Sequence, residues 1–218
     1  MAQETGLVAM RFAQNDVEGT PVAGAGNGFA FTDPISIDVS FDYESGADIT
    51  QKDGAGRLCF VRRRPDALKS ASAKFEVCSA SPTAMEIILG NQGVAVGSGT
   101  AHGLGLQNAA CDSPIRTSTF VEWWTEAWNC NAPGDVAYVR HLLPAVFANY
   151  DGGTWNEERH SFAFSAVCNA GPVNDGPFND LSEDWPADEA FLYGFESEAG
   201  VDETLPTAGT ITVPSQGS

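Results

Sequence analysis

Positive charge is scarce in this chain. Eleven lysines and arginines stand against 29 aspartates and glutamates over 218 residues, a net charge of −18. Most of such a surface repels phosphate, which argues against general nucleic-acid binding. Long apolar runs are also lacking: no stretch approaches the roughly 18 residues that a membrane helix needs, so no membrane partner is expected. Residues 1–12 (MAQETGLVAMRF) have neither a basic n-region nor an apolar h-region, so no secretory signal is read and folding in the cytosol is expected. Five cysteines, Cys59, Cys78, Cys111, Cys130 and Cys168, are spaced widely, with no C-x-x-C pair and no Cys/His cluster. That excludes the usual zinc spacings and leaves buried, reduced thiols on strands as the plain expectation, with a Cys111–Cys130 bridge open.

Catalytic signatures are equally thin. Gly24, Gly26 and Gly28 do not make G-x-G-x-x-G and have no βαβ context. Ser98 and His102 lie in a glycine-rich stretch without G-x-S-x-G. The acids between Asn174 and Glu189 lack the EF-hand spacing and read as solubilising surface charge. No cofactor, no metal and no enzymatic activity are expected.

What is present is strand pattern. Hydrophobic residues make up 43% of the chain and aromatics 10%, enough for a sizeable core. In ISIDVSFDYE, Ile35, Ile37, Val39, Phe41 and Tyr43 fall on one face and Ser36, Asp38, Ser40, Asp42 and Glu44 on the other. This period of two predicts a long strand with one core face and one wet, acidic face. The polar connection 45–56 and a second strand, Arg57–Arg64, read as an extended hairpin with a projecting tip. In FEVCSASPTAMEIILG, Phe75 and Val77 end a strand, Ser81 can cap a helix that starts at Pro82, and Gly90 stops it. Met85, Ile88 and Leu89 share that helix's apolar face.

Other strands are expected at 6–13 (as a strand or docking arm), Thr117–Trp128, Val136–His141, Leu142–Phe147 (broken by Pro144), His160–Asn169 and Glu189–Glu196. Residues 19–28 are expected as a flexible link, 90–114 as a surface loop, 171–190 as an acidic loop and the tail from Ser197 as a mobile arm. The fold class is therefore mainly β: a β-sandwich or barrel flanked by one short α-helix, with a long β-hairpin loop and terminal arms. A domain over 1–200 including the N-terminal arm and a polar arm over 201–218 are expected.

Charge is unevenly placed. Residues 52–74 hold seven of the eleven bases (Lys52, Arg57, Arg62, Arg63, Arg64, Lys69 and Lys74) against Asp53 and Asp66. Such a segment suits either contact with the acidic surface of a neighbouring copy or, for Arg62–Arg64, a plain solvated face. A competing chemistry lies in VEWWTEAWN, where Glu122 and Glu126 stand among Trp123, Trp124 and Trp128, a combination that carbohydrate binding or hydrolysis would use. On a strand, Trp123 would be core, and the face holding Glu122, Trp124 and Glu126 solvated or in subunit contact.

Taken together, ISIDVSFDYE, SGADITQKDGAG, KFEVCSASPTAMEIILG, RHLLPAVFANYDGG and HSFAFSAVCNAGP resemble, in that order, the major tail tube proteins of long-tailed (siphovirus-type) bacteriophages. The resemblance covers most of residues 30–172; the acidic 171–203 region and the Trp-rich strand depart from it. It implies a sandwich with one flanking helix, six-fold rings stacked into a hollow tube in the virion tail, and assembly in the host cytoplasm. It implies the partners of a tube: further copies of itself, the tape measure, tail terminator and distal tail proteins, and double-stranded DNA in passage without tight binding. The polar face of the first strand (Ser36, Asp38, Ser40 and Asp42) is then expected to face the lumen. The hairpin (Asp48, Gln51, Lys52 and Asp53) and the basic run Arg62, Arg63 and Arg64 are expected to contact neighbouring subunits and rings. A tail terminator, a neck protein or a capsid decoration protein is the nearest alternative.

Overall fold

A computed structural model describes residues 3–52, 54–90, 93–96, 103–106, 117–128, 136–156, 160–169, 194–197 and 205–213. They form thirteen strands and one helix: β1 Gln3–Gln14, β2 Gly24–Phe31, β3 Pro34–Glu44, β4 Asp48–Lys52, β5 Leu58–Arg63, β6 Ala67–Val77, α1 Pro82–Leu89, β7 Gly93–Val96, β8 Gly103–Leu106, β9 Thr119–Trp128, β10 Val136–Trp155, β11 His160–Asn169, β12 Gly194–Ser197 and β13 Gly209–Val213. Nine strands join one antiparallel sheet in the order β13-β2-β1-β9-β10-β11-β6-β3, with β12 beside β10. Two small hairpins, β4–β5 and β7–β8, stand apart from it.

This sheet folds over on itself. Phe12 on β1 and Phe75 on β6 are separated by β9, β10 and β11, which in a flat sheet would put them roughly 19 Å apart at ~4.8 Å per strand. Their rings instead lie 5.3 Å apart, and Phe75 stacks on Phe164 at 5.0 Å. The result is a sandwich with Met10, Phe12, Phe31, Val121, Trp123, Leu143, Phe75, Val77, Phe164 and Ala166 between its halves. The 20-residue β10 belongs to both layers: its first half pairs with β9 and β12, its second with β11.

Pro144 does not break β10, contrary to the expectation of two segments. The pairing with β9 slips between Leu143 and Val146, so proline's missing donor falls where no ladder bond is required. Asn15 fastens this bend, donating from Nδ2 to the Pro144 carbonyl (2.9 Å) and to Ser118 Oγ (3.0 Å).

The helix is as its local signals predict. The Ser81 side chain accepts from the Ala84 N–H at 3.1 Å, Pro82 occupies the first turn, and Gly90 takes φ 57°. Ala84, Met85, Ile87, Ile88 and Leu89 are buried, and Thr119 on β9 donates to the Ile87 carbonyl at 2.9 Å, tying the helix to the sheet. A side chain at position 90 would lie 2.6 Å from Thr117 Oγ1, so glycine is required there twice over, by conformation and by space.

Several expectations are corrected. Much of the flexible link at 19–28 is strand, since β2 starts at Gly24, and Gly28 lacks a side chain where Ile211 of β13 would meet one at 2.7 Å. The expected surface loop at 90–114 contains β7 and β8; Ser98, His102 and Cys111 lie outside the described residues. Within the expected C-terminal arm, β13 pairs with β2 and buries Val213. The hairpin partner of β3 is β6, not Arg57–Arg64; that segment, as β5, pairs with β4 inside the expected loop. Of the last expected strand, Glu189–Glu196, the described part is strand as expected, within β12 (Gly194–Ser197); residues 189–193 and the acidic 171–190 stretch lie outside the described residues.

Candidate functional site

Three features stand out once the sandwich is built: a polar outer face, an exposed arm and a buried ion cluster.

The polar face belongs to the second half of β10 with β11, β6 and β3. Cross-strand pairing sets Asn149, Ser165, Lys74 and Asp38 in one row, and Phe147, Val167, Ser72 and Ser40 in the next. Flanking rows hold Gly152, Ala163, Glu76 and Ser36 on one side and Ser70 with Asp42 on the other. Asp38, Ser40 and Asp42 are exposed and Ser36 is half-buried, so the four predicted residues share one outward surface. Ser40 and Ser72 hydrogen-bond through their hydroxyls at 2.9 Å, and Ser165 donates to Asp151 at 2.8 Å. Apart from Phe147 and the exposed Val167, the face carries short or polar side chains, and four carboxylates (Asp38, Asp42, Glu76 and Asp151) with the ammonium of Lys74 make it a wet, net-negative wall.

Among the described residues, β3 and the second half of β10 are the border strands of this face. Among the same residues, β3 pairs with β6 alone, and residues 149–155 of β10 pair with β11 alone. Successive strands are antiparallel, so β3 runs antiparallel to β10. A second copy's β10 laid beside β3 would therefore continue the same alternation.

The opposite face of β3 is core only in part. Ile35, Ile37 and Val39 are half-buried, while Phe41 and Tyr43 are exposed, because the strand is an edge and its end runs beyond the packed body. There the chain enters the arm. The β3–β6 ladder stops at Glu44 and Ala67, and the β4–β5 ladder resumes with Asp48 opposite Arg63. At the joint, Gly46 N–H donates to Asp66 (3.0 Å), Arg63 pairs with the same carboxylate (3.7 Å), and a side chain on Gly46 would collide with the Arg64 carbonyl. Every described residue of β4 and β5 is exposed, including Ile49, Leu58, Phe60 and Val61, beside Lys52, Arg62 and Arg63. Of the predicted contact residues, Asp48, Gln51, Lys52, Arg62, Arg63 and Arg64 lie together on this arm; Asp53 is outside the described residues.

The third feature corrects the reading of the Trp-rich strand. Trp123 is core, stacked on His141 at 5.1 Å, but the face with Glu122 and Trp124 is not solvated. Glu122 is wholly buried, receives a 2.8 Å hydrogen bond from Arg11 Nε, and faces Arg140 Nη2 at 3.9 Å. The Arg11 guanidinium also lies 5.1 Å from the centre of the Trp124 ring. Glu122 is thus locked between two arginines, and only Glu126 of the proposed glycosidase pair is partly accessible. Among the described residues no group of His, Cys, Asp and Glu could hold a metal ion, and no helix is long and apolar enough to cross a membrane.

Cysteine exposure also departs from expectation. Cys59 on β5 and Cys78 just after β6 are exposed, while Cys168 on β11 is buried and its thiol is pushed up to about 12 by desolvation. Because the thiolate is the nucleophile, maleimide at pH 8 is expected to label Cys59 and Cys78 within minutes and to spare Cys168 until denaturant is added. Peptide mapping checks this, and native labelling of Cys168 would contradict its burial.

No protein-family profile matches the chain, and no curated protein matches it.

Proposed function

We propose that this chain is a structural virion protein, the subunit of a bacteriophage tail tube, polymerising as stacked hexameric rings around a channel through which DNA passes during ejection. One observation carries the reading: a largely polar four-strand face whose border strands, β3 and residues 149–155 of β10, each have one strand neighbour among the described residues and run in directions that allow antiparallel pairing between copies. Exposed edges invite pairing with further chains, and ring closure removes them. The wall so formed is net-negative, which keeps phosphates from adhering. The exposed arm supplies the second, head-to-tail contact, and a head-to-tail interface that does not close on itself grows into a filament. Its bases complement an otherwise acidic chain. The tape measure, tail terminator and distal tail proteins are the expected partners at the ends of such a tube.

Negative-stain microscopy of the concentrated protein tests the proposal. Hollow rods of uniform width are expected; dispersed single molecules at high concentration would reject it. Asp38→Lys with Asp42→Lys makes the wall basic, changing the charge by four per copy. Tubes should still form, because both positions lie away from the core, but should now retain double-stranded DNA at low salt. Equal DNA retention by native and double-variant tubes would remove these residues from the lumen.

A further inference from the structure

The end of β10 carries a local structure that the polar wall does not require. The pairing with β11 shifts between Tyr150 and Gly152, inserting a bulge at Asp151, and Gly152 takes φ 111°. Asp151 turns to the polar face, where it accepts from Ser165. On the opposite, core-side face, the Trp155 indole folds back over Gly153; a side chain there would meet the ring at 2.8 Å. The ring lies edge-on to Phe162 at 5.9 Å, yet Trp155 remains 61% exposed. A bulge, two glycines and an exposed tryptophan therefore coincide in residues 149–155 of β10, whose one strand neighbour among the described residues is β11. Tryptophan is among the residues most enriched where the binding energy of protein interfaces concentrates.

We propose that Trp155 is the anchor of the side-to-side contact and that its occupant is the β3 edge of a second copy. The directions and the chemistry agree. In an antiparallel continuation, the end of β10 that carries Trp155 meets the end of β3 that carries Ile35 and Ile37. Those two residues lose only part of their surface within their own subunit. On β3, Ile37 pairs opposite the core residue Phe75 and so points to the same side of the sheet as Trp155. The indole would thus close over the apolar flank of the neighbouring strand while the backbone edges pair beneath it. This rests on the ring reading above.

The test uses the full chain as native protein, Trp155→Ala and Trp155→Phe, with sedimentation velocity across a concentration series, melting temperature and acrylamide quenching of tryptophan fluorescence. Trp155→Ala is expected to raise the concentration needed for assembly at least tenfold without lowering the melting temperature of the monomer. Trp155→Phe should recover most of that loss, and the quenchable fraction lost by native protein on assembly should be absent in the phenylalanine variant. Unchanged assembly of Trp155→Ala would overturn the anchor and leave the ring reading intact. A native protein that stays monomeric throughout would overturn both.

Discussion

Glu122→Ala is expected to be among the most damaging single substitutions in the body of this protein, lowering stability by about 3–5 kcal/mol, the range for removing one partner of a buried ion pair. Glu122 has no exposed surface, Arg140 is 1% exposed and Arg11 9%. Alanine would remove the carboxylate that both guanidinium groups face and leave them beside a cavity. The pair need not be a net stabiliser in the native protein, because desolvating three charged groups offsets much of their attraction. The loss comes from breaking the set. Replacing the charges together by apolar side chains of similar volume should therefore be milder than Glu122→Ala alone. Glu122→Gln should fall between, since the amide oxygen can still accept from Arg11 Nε while the charge is gone. Urea unfolding of the three variants gives the order, and a Glu122→Ala protein within 1 kcal/mol of native would mean that the cluster carries little.

That cluster also marks where local sequence pattern stops informing. VEWWTEAWN alternates as a half-exposed strand should, and nothing near it in sequence announces that both faces will be covered. The partner that makes burial of Glu122 tolerable is Arg11, 111 positions away. By contrast, the helix was legible because its signals are local: a serine cap, a proline in the first turn and a glycine stop within ten residues. The strand His160–Asn169 was legible for the same reason, its inward Phe164 and Ala166 and its outward Val167 following the period of two. The polar wall was half legible. Ser36, Asp38, Ser40 and Asp42 could be grouped from alternation alone, but Lys74, Ser165 and Asn149 join them only through strand register. Trp155 was missed because the expected strand was broken at Pro144 and stopped at Phe147, whereas pairing slips at Pro144 and again at Asp151 and lets β10 continue to Trp155. The hairpin was placed correctly and paired wrongly, since a break at Gly46 and Pro65 divides what reads as one ladder into two.

Excising the arm, residues 47–63 replaced by a two-residue turn, should leave the body folded and abolish tube formation. Folding should survive because every described residue of β4 and β5 is exposed, so the sandwich core loses no packing. A lone two-stranded hairpin is at best marginal in water, so its apolar side chains gain most when a partner covers them. Ile49, Leu58, Phe60 and Val61 are 41–58% exposed. Covering the remaining half of four such side chains is worth about 3–6 kcal/mol per arm before ordering is paid for, on the usual scale for aliphatic and aromatic burial. Charge attraction between the basic arm and an acidic neighbour is weaker and screened: the Debye length falls from about 10 Å at 0.1 M salt to about 3 Å at 1 M. The two contributions separate experimentally. If apolar burial dominates, native tubes persist in 1 M sodium chloride and assemble more slowly there, while Phe60→Ser with Val61→Ser disperses them at any salt concentration. If attraction between charges dominates, salt alone dissolves them. Light scattering and microscopy of native, excised and double-serine proteins distinguish these cases, and normal rods from the excised protein would strip the arm of any part in stacking.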